Sequence, residues 1–205
     1  MKLLGVLAAA SAILFLLAEA ALGPLGPFVK MIPAAALGGM LLGSPSRVGK
    51  RFAAAGLLVS SLADAVIEFS FLGGLATFLV AHLFYIAAFT TVEPRWRLAR
   101  LAPVAVWAAL VLPALYAGAG AMRVPVLIYA AVIFAMIWRA AAAVLSMSIR
   151  DSGVIGLLGA ILFGVSDTLL GVNRFVTPVP AADVIVVGSY WVAQALIAVS
   201  FMRGR

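Results

Sequence analysis

The sequence predicts an all-α, polytopic transmembrane helical bundle of about eight helices, and three observations carry that prediction. Of the 205 residues, 66% are hydrophobic and only 10% are charged, against roughly 25% charged in a soluble domain. The apolar residues fall in blocks of about 20, long enough to cross the hydrocarbon core of a bilayer. No segment between the blocks is long or polar enough to fold separately outside the membrane. Residues 1–205 therefore read as a single transmembrane domain.

Eight spans follow, at approximately 3–22, 28–43, 52–69, 72–91, 100–118, 123–145, 153–173 and 182–202. Helix-breaking residues divide them: Gly23-Pro24 and Gly26-Pro27, Gly43-Ser44-Pro45, Gly73-Gly74, Glu93-Pro94, and Pro178 with Pro180. The second span is short, which leaves a re-entrant, tilted or neighbour-covered helix open. Around the first span, Lys2 and Ala18-Glu19-Ala20 imitate a cleavable leader. The apolar stretch continues past that site to Leu22, so a retained helix is the reading adopted.

Loop charge sets the topology. The side holding the N-terminus carries Lys2, Arg47, Lys50, Arg51, Arg95, Arg97, Arg100, Arg150, Arg203 and Arg205, ten cations; the other side has Lys30, Arg123 and Arg174. Both termini are therefore expected in the cytoplasm. The net charge of +7 is dispersed among these short loops and serves topology rather than nucleic-acid binding. The alanine- and arginine-rich usage points to a bacterial cytoplasmic (inner) membrane. Cysteine is absent and His82 is the single histidine. Disulfides, thiolate chemistry and a multi-histidine zinc site are thereby excluded, and no metal or cofactor is expected.

An ionisable side chain at membrane depth is costly and marks a site by default. Asp64 and Glu68 are one turn apart on one helical face, with Ser60 continuing it. Asp167 shares its face with Gly164, Gly171 and Arg174. Both aspartates lie in the outer half, roughly 7–10 Å from their helix ends at about 1.5 Å per residue. Gly56 and Gly159 each precede an aspartate by eight residues, a pattern compatible with a four-plus-four duplication. Lys30, Asn173 and Arg174 stand at outer helix ends; Tyr129 and Tyr190 lie in outer halves, His82 nearer mid-membrane and Gln194 one turn beyond Tyr190. Arg139 is expected to snorkel to the opposite, cytoplasmic side. Structural roles compete with these readings: ion pairs of the aspartates with Lys30 or Arg174, solvated Glu19 and Glu68, a core His82, and interface-belt Tyr129, Tyr190 and Trp191.

The same residues carry a family resemblance. Phe28-Val-Lys30-Met-Ile-Pro33 resembles a Lys-x-x-Pro signature opening the second helix, and Ser61-Leu-Ala-Asp64 with Gly74, Phe78-Leu-Val-Ala-His82 and Tyr85 resembles the paired third and fourth helices. Pro125-Val-Leu-Ile-Tyr129, Met136-Ile-Trp138-Arg139, Ser166-Asp167, Asn173-Arg174-Phe175 and Ser189-Tyr190-Trp191-Val-Ala-Gln194 complete the pattern. Over nearly the whole chain it is similar to the YhhN-type lysoplasmalogenase family of eight-helix membrane proteins.

That resemblance implies a hydrolase of the vinyl ether bond of lysoplasmalogens, releasing a fatty aldehyde and a glycerophospho-base. Such a bond breaks by protonation of its alkene carbon, passage through an oxocarbenium ion, and addition of water. The chemistry needs one carboxylic acid and one neighbouring carboxylate, as in two-carboxylate glycosidases. Asp64 and Asp167 suit those roles, either one as the acid. Lys30 and Arg174 would hold the phosphate, with Asn173 beside them at the rim, and His82, Tyr129, Tyr190 and Gln194 would orient water or the glycerol hydroxyl. The expected partner is a lysophospholipid entering sideways from the bilayer. An ester-cleaving lysophospholipase is one alternative, with Ser60 and Ser61 near Asp64; a lipid-binding or transport protein using buried acids as relays is another.

Overall fold

The computed structural model describes residues 5–6, 8–10, 12–13, 15, 22–45, 47–144, 146–147 and 150–203. Seven long helices are named here in chain order: α1 (Gly26–Leu42), α2 (Val48–Phe69), α3 (Phe71–Val92), α4 (Leu101–Gly118), α5 (Arg123–Ala143), α6 (Arg150–Phe175) and α7 (Ala182–Arg203). The described residues between 5 and 15 are also helical, with Phe15 meeting Trp191 of α7 edge to face at 5.5 Å. No strand occurs among the described residues. The protein is an integral membrane protein: among the described residues, seven helices are long and apolar enough to cross a bilayer. The second span is longer than the sequence suggested. A 3-10 turn at Gly23–Leu25 runs into α1, and together they give 20 residues, enough to span.

Successive helices run antiparallel. α1, α3, α5 and α7 begin at the end of the bundle where α2, α4 and α6 finish; this end is called the site end. The α2–α3 hairpin turns on one residue. Ser70 is extended (φ −151°, ψ 110°), ends α2, and accepts the Gly73 N–H at 3.1 Å as N-cap of α3. Two hairpins close through glycine. A Cβ on Gly56 of α2 would sit 2.5 Å from the Tyr85 ring of α3, and one on Gly159 of α6 would sit 2.9 Å from the Ala193 carbonyl of α7. Between helices surrounded by apolar solvent, such close backbone approach supplies the packing that hydrophobicity cannot. In contrast, α4 buries only Val104 and Leu115, and its Leu110 and Val106 are exposed to 76% and 62%.

The far end is sealed by a polar knot that corrects the reading of Arg139. Its side chain is buried. It donates to Thr90 Oγ1 at 3.1 Å, to the Arg95 carbonyl at 2.8 Å and to the Glu93 carbonyl. The guanidinium therefore satisfies loop carbonyls left open where α3 ends, a better outcome at that depth than reaching for water. Glu93 is 1% exposed and accepts Ser146 Oγ at 2.7 Å, the Arg95 N–H at 3.0 Å, and Arg97 Nε and Nη2 at 2.9 and 2.7 Å. The Ser146 bond, then the Arg95 and Arg97 bonds, hold its carboxyl down at about 2. Trp138 stacks on Trp96 and donates to the Arg97 carbonyl at 3.3 Å.

Two outcomes follow from this packing. Gly159→Val drives a side chain into helix backbone and costs about 1–3 kcal/mol, read as a lower thermal midpoint in detergent. Gly188→Ala, at a position with nothing within 4 Å, holds or raises that midpoint. Glu93 supplies an acid-sensitive component. Because its folded pKa is depressed from 4.5 to about 2, its stabilisation is present above the unfolded value and drains away as pH falls between those limits. The midpoint of wild type should drop across that window, and Glu93→Gln should start lower and respond less to the same acidification.

Candidate active site

At the site end, Ser hydroxyls staple the helices that carry the two aspartates. Ser61 Oγ donates to the Met31 carbonyl of α1 at 2.9 Å, fixing α1 against α2 beside Lys30 and one turn from Asp64. Ser166 Oγ donates to the Val186 carbonyl of α7 at 2.8 Å, fixing α6 against α7 next to Asp167. Each carboxylate then receives a phenol from a different helix. Tyr190 of α7 donates to Asp64 Oδ2 at 2.9 Å, and Tyr129 of α5 donates to Asp167 Oδ2 at 2.5 Å. Asp64 is 1% exposed. A carboxyl so enclosed requires such donors, because unmet hydrogen bonds in a low-dielectric setting are expensive.

Both aspartates face one cavity of about 240 Å³. Its lining brings together Lys30, Asp64, Asp167, Asn173, Arg174 and Tyr190, six of the nine positions anticipated from sequence. Lys30 does not pair with an aspartate. Its Nζ lies 2.6 Å from Glu68 Oε1, so Glu68 is an ion-pair member at the cavity rim rather than a merely solvated side chain. Arg174 places its guanidinium 5.2 Å from the centre of the Phe71 ring. Asn173 uses Oδ1 to accept the Val179 N–H at 2.9 Å, which ties down the α6–α7 loop beside the cavity. Glu19 lies outside the described residues.

Three anticipated residues stand elsewhere. Tyr129 touches the chamber through its bond to Asp167 and lines a second space, described below. His82 and Gln194 do not line the cavity; both are fully buried behind it. His82 packs against Phe163 and Tyr129, with ring centres 4.6 and 5.4 Å away. Neither of its ring nitrogens has a partner of ordinary hydrogen-bond geometry. Gln194 Oε1 accepts Tyr85 Oη at 2.5 Å, and Ser60 Oγ lies 3.3 Å from the same phenol. His82 and Gln194 miss the wall because a layer of aromatic rings, chiefly Phe163 and Phe78 against Tyr190, intervenes.

The cavity wall also holds Glu68 and Ser166, which the sequence reading noted without a site role, and Phe71 and Asp183, which it did not single out. Asp183, in the first turn of α7, looks in sequence like a helix-start acid and nothing more. Beyond Asp167 lies the second space, a narrow apolar slot of about 50 Å³ between α3, α4, α5 and α6. Phe71, Asp167 and Leu170 line both spaces. Asp167 thus stands where a polar chamber meets an apolar groove. Among the described residues no three Asp, Glu or His side chains gather as a metal-ligand set.

Comparison with known proteins identifies relatives of this chain. Residues 25–201 match the model of the YhhN family. Human lysoplasmalogenase TMEM86B is 32% identical over 180 residues, covering 85% of this chain and 74% of its own length. Human lysoplasmalogenase TMEM86A is 33% identical over 159 residues, covering 73% of this chain and 65% of its own. A lysoplasmalogenase of Mycobacterium tuberculosis (strain CDC 1551 / Oshkosh) is 28% identical over 193 residues, covering 88% and 72%. No solved structure matches. A family model that covers residues 25–201, with relatives alike over most of the chain, leaves one conclusion: this protein belongs to the YhhN family.

Proposed function

We propose that this chain hydrolyses the vinyl ether bond of lysoplasmalogen-type lysolipids, as the names of its relatives indicate for them. The observation that carries the reading is the position of Asp167, shared by a polar chamber holding Asp64, Lys30 and Arg174 and by an apolar slot. A lysolipid is divided in the same way. Its phosphate would lie near Arg174 and Lys30, its single chain in the slot, and its vinyl ether at the junction.

In this scheme Asp167 is the general acid, because it borders the slot where the alkene would lie. Its proton passes to the alkene carbon one bond removed from the ether-bearing carbon, and positive charge develops on the C–O unit. Asp64, as carboxylate, faces that charge and takes a proton from the water that adds. The hemiacetal then collapses. The ether oxygen takes the proton held by Asp64 and leaves as the glycerol hydroxyl, while Asp167 takes the hemiacetal hydroxyl proton. This gives the fatty aldehyde and restores both carboxyls. Tyr129 and Tyr190 fix the two carboxyls in place. His82 and Gln194 act one layer back, His82 against Tyr129 and Gln194 through Tyr85, as positioning residues. No cofactor or metal enters the scheme.

Loop charge supports a chain with both termini in the cytoplasm, as one transmembrane domain of a bacterial inner membrane. The chamber would then open toward the outer leaflet. A reporter fused to the C-terminus checks this: a cytoplasmic signal is expected, and a non-cytoplasmic one reverses the orientation.

The activity is tested by aldehyde release from lysoplasmalogen in detergent. Asp64→Asn and Asp167→Asn should each lower kcat by about 10²–10⁴-fold, with folding checked by thermal midpoint. Tyr129→Phe and Tyr190→Phe should lower it less, on the order of tenfold, the worth of a hydrogen bond to a charged group. Fatty acid released in place of aldehyde would point to ester hydrolysis. Solute movement in liposomes without any aldehyde would point to transport.

A further inference from the structure

A second cavity continues the line of the apolar slot. It has a volume of about 210 Å³ and lies nearer the far end, between α4, α5 and α6, walled by Val104, Trp107, Ile137, Ala141, Leu157 and Ile161 with Arg100 at its mouth. On α6 the slot reaches Gly164 while this cavity runs from Ile161 to Leu157. Along α4, Val104 and Trp107 face the lower cavity and Val111 and Leu115 the upper one, a stripe at helical spacing. One seam therefore follows α4, the helix least embedded in the bundle.

Trp107 divides the seam. Its ring lies across Gly164, where an added Cβ would come within 2.9 Å of the indole and 2.7 Å of Ile137. From the other side it meets Phe134 edge to face at 5.7 Å. The absence of a side chain at Gly164 makes room for the indole, so the partition is built by three helices. Below Asp167 the open slot has about 4.5 Å before this floor at Gly164, and the lower cavity covers about 6 Å more between Ile161 and Leu157, at about 1.5 Å per residue along α6.

We infer that the seam beside α4 is the binding site for the substrate's alkyl chain and that Trp107, backed by Phe134, is the floor that selects chain length. This rests on the lysolipid reading of the chamber. Short chains fit above the indole, and longer ones must displace it to enter the lower cavity. Removing the indole joins the two spaces. Bulk added at Ala141, on the wall of the lower cavity, closes that space again without touching the chamber.

The test uses full-length protein in detergent and two measurements over a homologous series of chain lengths. One is kcat/KM for aldehyde release from 1-alkenyl lysophospholipids. The other is Kd for their saturated alkyl-ether analogues, which bind but have no vinyl ether to hydrolyse. Trp107→Ala should raise the long-to-short preference by about tenfold or more in both, the usual scale of discrimination by a few methylenes. Phe134→Ala, on a different helix, should shift it in the same direction, so the idea survives if one variant fails to fold. Ala141→Phe placed in either background should cancel the gain. An unchanged chain-length profile in folded Trp107→Ala or Phe134→Ala overturns the inference, whatever the wild type does. If no aldehyde forms but the Kd profile shifts as described, the chain site stands and the hydrolase reading falls.

Discussion

Two carboxyl groups set in a low-dielectric surround must find hydrogen-bond donors within the protein, and much of this structure answers that demand. Asp64 is met by a phenol from α7, 126 positions away in sequence, and Asp167 by one from the preceding helix, α5. Each phenol must be carried to its carboxyl by a helix; Ser166 fixes α7, the helix of Tyr190, against α6, and Ser61 fixes α1 against α2, the helix of Asp64. Gly159 brings α6 and α7 close enough for the short Ser166 side chain to reach across. The lipid environment thereby converts a local requirement of two side chains into a constraint on five helices.

The two ends of the bundle meet the same constraint in opposite ways. At the far end, Arg139, Glu93, Arg97 and Ser146 consume one another's hydrogen-bonding capacity with loop carbonyls, leaving a sealed structural knot. At the site end, the polar side chains are anchored but not exhausted. Lys30 is tied to Glu68 and the aspartates to tyrosines, yet the groups surround an open volume of about 240 Å³ instead of closing on themselves. Arg174 leans on an aromatic ring in place of a carboxylate. Polar groups assembled around a space, at an energetic disadvantage relative to an apolar core, are what a polar ligand would require.

The membrane spans and the two aspartates were legible in the sequence because both are written in single-residue chemistry: long apolar runs, and acids where lipid forbids them. Facing was much harder to read. Most of these helices are apolar all round, so periodicity cannot say which stripe meets protein and which meets lipid. Arg139 shows the consequence, since a snorkelling cation and a cation capping loop carbonyls have the same sequence signature. Lys30 and Glu68 are 38 positions apart, and their pairing depends on how α1 sits on α2. His82 and Gln194, anticipated at the site, lie one aromatic layer behind the cavity wall. The apolar slot had no signature at all, because Gly164, Trp107 and Phe134 are each ordinary residues for a membrane helix.

That slot bears on how a site with few specific contacts can hold a lipid in register. A lysolipid is already partitioned, with a charged head, an apolar chain, and the ether linkage at the boundary. A protein that offers a charged chamber joined to an apolar seam places the boundary of the ligand on its own boundary, since moving the lipid either way would strand methylenes among charges or phosphate among alkyl side chains. Here that boundary is occupied by Asp167. Partition alone would thus bring the bond to the acid, and only the final orientation would need individual hydrogen bonds. The same logic accounts for the placement of Trp107. Register set at the junction is useful only if the chain does not overrun the seam, and a floor that resists longer chains keeps the boundary at the carboxyl where the chemistry would occur.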